Sequence, residues 1–182
     1  MGQESEAAAD FAQEADPLVG VERLNRWERQ IQAEMTMPYP VAPIWQVLTD
    51  YEALADFLPN LAVSRRLPHP EGKIRLEQVG TQPLLRFNFR ARVVLDIEEI
   101  YPQRIQFTCV EGDFSRFDGA WQLDPQDSAT RLIYTVQVRP RRHLPVGLIE
   151  GRITRGIRLN LQAIRERVAQ VWQPAKNAVG EP

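Results

Sequence analysis

The sequence predicts an α+β fold: a curved antiparallel sheet of about six or seven strands wrapped around one long C-terminal helix, with two short helices after the first strand. Three observations predict it. Apolar residues recur every three or four positions over 145–171, at Val146, Ile149, Ile153, Ile157, Leu161, Ile164, Val168 and Val171, which is the stripe of an amphipathic helix. Ahead of it, apolar and polar residues alternate with period two in segments separated by turn residues, as strands with one buried and one wet face do. The strands come in one run, so the apolar face of their sheet needs a cover, and only the final helix is long enough to supply it.

The elements follow in order. Residues 1–20, rich in Ala, Glu, Asp and Gln and lacking an apolar period, read as a disordered acidic tail. That leaves 21–172 as one domain and 173–182 as a flexible C-terminal tail. Trp27, Arg29, Ile31, Ala33, Met35 and Met37 alternate with Glu28, Gln30, Gln32, Glu34 and Thr36, predicting a first strand over 27–37. Pro38, Pro40 and Pro43 end it and open a short helix over 42–49, because proline cannot donate to a ladder but fits the first turn of a helix. A second short helix is expected over 51–57, with Asp50 as N-cap and Pro59 as stop. Strands are expected over 61–67 and 74–79, joined by the turn Pro68-His69-Pro70-Glu71-Gly72. The cleanest alternation, over 84–100, sets Phe87, Phe89, Ala91, Val93, Leu95 and Ile97 against Asn88, Arg90, Arg92, Asp96 and Glu98. Three further strands turn inward Ile105, Phe107 and Cys109, then Phe117, Gly119, Trp121 and Leu123, then Leu132, Tyr134, Val136 and Val138. Between the first two of these, Glu111-Gly112-Asp113 reads either as a tight hairpin or as a bulge that redirects Phe114 and Phe117.

At 182 residues, with 43% hydrophobic and 25% charged, the chain has the size and composition of one globular domain with tails. The lone cysteine, Cys109, excludes a disulfide framework and reads as a buried small hydrophobe in a reducing compartment. There is no run of about 18 apolar residues and no basic-then-apolar N-terminus, so a soluble, cytoplasmic protein is expected. The net charge of −2 conceals an asymmetry: from Arg131 onward ten Lys or Arg meet three acids, a local +7, and the residues before it carry −9. Arg139, Arg141, Arg142, Arg152, Arg155 and Arg158 form the centre of this basic region. They would suit phospholipid head groups, nucleic acid or an acidic protein; the plainer reading is a solvated face paired with the acidic strands beside it.

The text Val41-Ala42-Pro43-Ile44-Trp45-Gln46-Val47-Leu48-Thr49-Asp50-Tyr51-Glu52, followed by Phe57-Leu58-Pro59-Asn60, resembles the START-like, helix-grip (SRPBCC) superfamily of polyketide cyclases, dehydrases and coenzyme Q-binding proteins. Glu111-Gly112-Asp113-Phe114 and the later Phe117, Gly119 and Trp121 carry the same resemblance. It implies a deep pocket between the sheet and the long helix, holding a lipid, prenyl quinone, polyketide or similar hydrophobic molecule. The residues support a pocket independently. The inward faces offer Phe87, Phe89, Ala91, Val93, Phe107, Phe117, Gly119, Trp121 and Tyr134 opposite Ile149, Ile153 and Ile157, mostly apolar walls with few polar groups. Gly147, Gly151 and Gly156 each cost roughly 1 kcal/mol against alanine inside a helix, and read either as a pliable or roomy wall or as close packing on the sheet.

Catalytic signals are sparse. His69 and His143 read as surface residues rather than bases, and two distant histidines with one cysteine make no metal site. No phosphate loop, nucleophile elbow or HExxH motif is present, and no cofactor is expected. The expected function is non-catalytic: binding or carriage of a hydrophobic small molecule, with the basic patch docking on an anionic membrane. Two alternatives stay open. One is a polyketide cyclase/dehydrase-like enzyme with Tyr134 among its pocket groups. The other is a ribosome- or protein-associated interaction module whose arginines bind RNA or an acidic partner. No motif encodes the ligand's identity or the oligomeric state.

Overall fold

The structure, a computed structural model, describes residues 16–84, 87–141 and 146–172, with the side chains of 82–89 and 142–149 outside the description. Among the described residues the strands are β1 (Leu18–Arg23), β2 (Arg29–Met37), β3 (Leu61–Leu67), β4 (Ile74–Leu84), β5 (Phe87–Ile100), β6 (Arg104–Gly112), β7 (Phe114–Pro125) and β8 (Thr130–Pro140). The helices are α1 (Val41–Thr49), α2 (Leu54–Phe57) and α3 (Val146–Val171). The eight strands form one antiparallel sheet in the order β1-β2-β8-β7-β6-β5-β4-β3, so β2 lies beside the last strand and the others follow in reverse chain order from it. This is the expected helix-grip arrangement, with one strand more than the sequence predicts.

The centre of the core follows from the alternation in β2 and β8. Ile31, Ala33, Met35 and Met37 face the same side as Leu132, Val136 and Val138, and all are almost completely buried. Against them lie Leu161, Ile164 and Val168 of α3 and Ile44, Val47 and Leu48 of α1, so the C-terminal half of α3 is sealed between sheet and α1. Each such side chain contributes about 1.5–3 kcal/mol by leaving water. Trp172 meets the Tyr39 ring edge-on with centroids 5.3 Å apart, and the Thr130 hydroxyl donates to the Tyr39 carbonyl at 2.8 Å, which ties the proline loop to the start of β8.

The N-terminal half of α3 is held differently. Arg29 of β2, 7% exposed at its side chain, donates through Nε to Glu150 at 2.8 Å and through Nη1 to the carbonyls of Asn25 and Glu28. A buried guanidinium satisfied on several sides tolerates its loss of water. The pair fixes the first turns of α3 to the sheet.

Four expectations are corrected. Residues 18–20, placed in the tail, form the first half of β1, with Leu18 opposite Glu34 and Gly20 opposite Gln32. An edge strand largely exposed on both faces has no buried side to impose alternation, and Leu18 is 67% exposed. The second helix is one turn, Leu54–Phe57, and Asp50 ends α1 by donating its backbone N–H to Gln46 instead of capping α2. Tyr51 causes this: it is buried with its hydroxyl donated to Glu99 at 2.6 Å, which holds the chain in a turn. The alternation beginning at 84 divides between two strands, because β4 runs on to Leu84 and β5 starts at Phe87. His69 is not a surface residue: its side chain is 7% exposed, Nδ1 accepts the Glu71 backbone N–H at 3.0 Å, and Nε2 reaches Asp96 of β5 at 3.5 Å. His143 lies outside the described residues.

On the convex face a chain of charges crosses four strands. Arg65 and Arg92 both bind Glu77, Arg92 also binds Glu111 at 2.6 Å, and Arg75 grips Asp96 with two bonds of 2.6 and 2.9 Å. Val94, which pairs with Glu77 and Glu111 across the ladders, is 3% exposed. The arginine stems provide an apolar cover for it.

These pairs set a pH dependence. Arg92 and then Arg65 hold Glu77 below the ordinary carboxylate range, Arg116 does the same to Glu28, and Arg75 to Asp96, with burial opposing in each case. Native values below unfolded ones give stability that is complete above the unfolded values, about 4, and is lost as pH falls through the lower native ones. The urea midpoint is therefore expected to stay flat from about pH 7 to 5 and to drop steeply below about pH 4. Glu77→Gln should be less stable at neutral pH and show a shallower acid limb; an unchanged acid limb would mean that the Glu77 pairs add nothing.

Candidate ligand cavity

A cavity of about 260 Å³ lies between the concave face of the sheet and α3. It exists because β6 and β7 part company. They pair only between Arg104↔Gln122 and Phe107↔Gly119; beyond that, β6 follows β5 through a register shift at Val94 and Leu95, and β7 follows β8 through another between Phe114 and Arg116. Gly112 is the hinge. Its φ of 131° is open to glycine but not to other residues, and a Cβ there would stand 2.2 Å from the Arg92 carbonyl oxygen. Around it, the Asp113 carboxylate accepts the Arg92 backbone N–H at 2.7 Å, the Asp113 N–H returns to the Arg92 carbonyl at 2.8 Å, and Arg141 Nε donates to the Gly112 carbonyl at 2.8 Å. The Asp118 carboxylate takes the Cys109 N–H at 2.9 Å, so a side chain serves where the ladder has opened. The Glu111-Gly112-Asp113 segment is thus a bend flanked by bulges, and it turns Phe114 and Phe117 into the cavity.

Eight of the expected lining residues meet there: Ala91, Val93, Phe107, Phe117, Trp121, Tyr134, Ile153 and Ile157. The aromatic members brace one another. Phe107 stacks on Tyr134 with centroids 5.8 Å apart, Trp121 lies 4.3 Å from Tyr134, and Phe117 touches both Phe107 and Phe114. Gly119 has another role: a Cβ on it would come within 2.7 Å of the Phe107 ring and 2.0 Å of the Thr135 carbonyl oxygen, so its lack of a side chain admits close packing behind the wall. The side chains of Phe87, Phe89 and Ile149 lie outside the described residues.

Apart from Tyr134, the polar lining carries no cavity assignment from the sequence. Asn60, Gln78, Thr81 and Asn160 line the cavity together with Arg152. Asn60 links two of its walls: Nδ2 lies 3.4 Å from the Gly156 carbonyl and 3.5 Å from Asn160 Oδ1 on α3, while its own carbonyl accepts the Thr81 N–H of β4 at 2.9 Å. Asn160 could have been found, since the steps Ile153, Ile157, Asn160, Ile164 continue the apolar stripe with one polar member. Tyr134 is 9% exposed, its hydroxyl has no hydrogen-bond partner among the described residues, and burial alone pushes its pKa upward. Burial, followed by the bond to Glu99, does the same to Tyr51. Both remain phenols at neutral pH. Among the described residues the lining contains no carboxylate and no histidine.

The arginines grouped by the sequence differ in their surroundings. Arg152 lines the cavity, whereas Arg155 and Arg158 are exposed, because steps of three residues rotate successive side chains off the face that carries Arg152. Arg139 and Arg141 are exposed at the end of β8, and Arg142 lies outside the described residues. Cys109 is half-buried; burial and then Asp118 raise its thiol pKa, which keeps it protonated.

A family model described as polyketide cyclase / dehydrase and lipid transport matches residues 37–165. The chain belongs to that family. None of the curated proteins compared with the chain matches it in sequence. Solved structures that share this fold include the Zhui aromatase/cyclase from Streptomyces sp. R1128, at 17% identity and TM-score 0.66 over 82% of this chain and 98% of that one. A STAR-related lipid transfer protein from Xanthomonas axonopodis has 17% identity and TM-score 0.69 over 85% and 94%. A protein from Thermus thermophilus has 21% identity and TM-score 0.67 over 79% and 99%. At such identities the likeness is one of architecture.

Two substitutions on α3 separate cavity from core. Ile153→Trp places its extra volume in open space and should change stability by no more than about 1 kcal/mol. Ile164→Asp buries an unpaired charge where nothing is exposed and should cost about 4 kcal/mol or more. Urea unfolding measures both, and equal losses would mean close packing in place of a cavity.

Proposed function

We propose that this chain binds and carries a hydrophobic small molecule in the cavity beneath α3. The observation that carries the reading is the lining: an apolar and aromatic wall with few polar groups, and neither carboxylate nor histidine among the described residues. An engineered cavity of about 150 Å³ holds benzene, so 260 Å³ encloses roughly ten carbons. A single acyl chain, a fused ring pair or a short isoprenoid fits that volume; a long prenyl quinone would place only part of its length inside.

A cyclase or dehydrase of this family would need a general acid and a general base. The Tyr134 hydroxyl can donate a hydrogen bond to a carbonyl, but the described lining offers no group to take up a proton at neutral pH, which favours carriage over catalysis. Delivery at an anionic membrane is the second part of the reading. Arg155, Arg158 and Leu159 are exposed together on the outer face of α3, a basic surface with an apolar residue in it. The same arginines are what an RNA- or protein-binding role would rest on.

Native mass spectrometry of protein purified from its host should show a bound lipid or quinone, and Ile153→Trp should abolish uptake of added fatty acid or quinone without unfolding the chain. Protein that is consistently empty and takes up neither class in titration would sink the proposal. In flotation assays, binding to phosphatidylglycerol vesicles but not to phosphatidylcholine vesicles or to RNA would support delivery at a membrane.

A further inference from the structure

Part of the cavity's polar lining gathers where α3 faces Asn60. On α3, Arg152, Gly156 and Asn160 follow one another at four-residue steps and therefore share one helix face, and all three line the cavity. The glycine between them carries no side chain, so nothing of its own fills the space between the guanidinium and the amide. Asn60 stands across that space, 3.4 Å from the Gly156 carbonyl and 3.5 Å from Asn160 Oδ1.

Arg152 is the one charged side chain among the described residues that line the cavity. It is half-buried and makes no hydrogen bond or ion pair with any described residue. The nearest acid in sequence, Glu150, is taken by Arg29 at 2.8 Å. Other partly covered arginines of this sheet are paired: Arg75 with Asp96, and Arg92 with both Glu77 and Glu111. A guanidinium keeps its charge at every working pH and presents five donors in a planar fork that fits a carboxylate or phosphate. Partly withdrawn from bulk water and bonded to no carboxylate among the described residues, it lacks the partner that Arg75 and Arg92 have.

We infer that the cavity's guest is an amphiphilic acid: an anionic head, carboxylate or phosphate monoester, on an apolar body of roughly ten carbons. Arg152 holds the head with help from the Asn60 and Asn160 amides, and the body lies along Ile153, Phe107 and Trp121. This assignment deepens the carrier reading and rests on it.

Calorimetric titration of the full-length protein with decanoate, decyl phosphate and 1-decanol, each below the concentration at which it aggregates, tests the assignment. Acetate and inorganic phosphate serve as heads without a tail. At least one of the two acids should bind about tenfold or more tightly than decanol, as expected for a charge-assisted bond, and the tighter of the two names the head. Arg152→Gln should bring the acids to the level of decanol while leaving decanol unchanged, and Arg152→Lys should restore part of the difference. Decanol binding as tightly as both acids, or Arg152→Gln weakening acid and alcohol alike, would overturn the acid assignment and leave the carrier reading standing. Acetate or phosphate binding as tightly as its decyl counterpart would overturn the assignment by showing an ion site that ignores the tail. If none of the three decyl compounds binds, the carrier reading itself falls and the assignment with it. The comparison of decanoate with decanol needs only the native chain, so it decides the matter even where a variant misfolds.

Discussion

A curved sheet covered by a single helix can seal only as much of its concave face as that helix can touch. Here the contact is complete at one end of α3 and incomplete at the other. Leu161, Ile164 and Val168 meet β2, β8 and α1 with nothing exposed, and this seal fixes the position of the helix. Nearer the N-terminus the helix lies over the region where β6 and β7 separate, and the Arg29 to Glu150 pair holds it there beside the partial apolar contact of Ile153 and Ile157. The cavity is the space between a packed end and a tethered end. The Gly112 hinge, the paired bulges and the row of braced aromatics all serve to keep the far wall from closing that space.

What the sequence made legible is what burial on one face imposes. Ile31, Ala33, Met35 and Met37, then Leu132, Val136 and Val138, alternate because each second residue must leave water, and the same rule located Ala91, Val93, Phe107 and Trp121 on the cavity side. The α3 stripe was equally plain. Features without a buried face were not legible. β1 is exposed almost throughout, so its pairing to β2 leaves no periodic trace. His69 is covered only because its turn reaches Asp96 on β5, a contact that local sequence does not contain.

The polar side of the cavity was hidden for a different reason. Charged and amide residues on a helix are ordinarily read as its wet face, and Arg152 was grouped with Arg155 and Arg158 on that basis. At a sheet that does not close, part of the polar face turns inward, and Arg152 and Asn160 fall on that part. Family membership does not supply this detail. The fold hosts both an aromatase/cyclase and a lipid transfer protein among its solved examples, so the chemistry resides in which few polar side chains enter an otherwise similar space.

The place of Trp121 has a practical consequence. Its indole lies within the cavity, 4.3 Å from the Tyr134 ring, while Trp45 packs edge-on against Tyr101 and Trp172 against Tyr39, each away from the aromatic wall. Indole emission shifts with the polarity and mobility of its surroundings. The protein therefore carries its own optical reporter: a guest seated along the wall would alter the light from one tryptophan and leave the others as an internal reference.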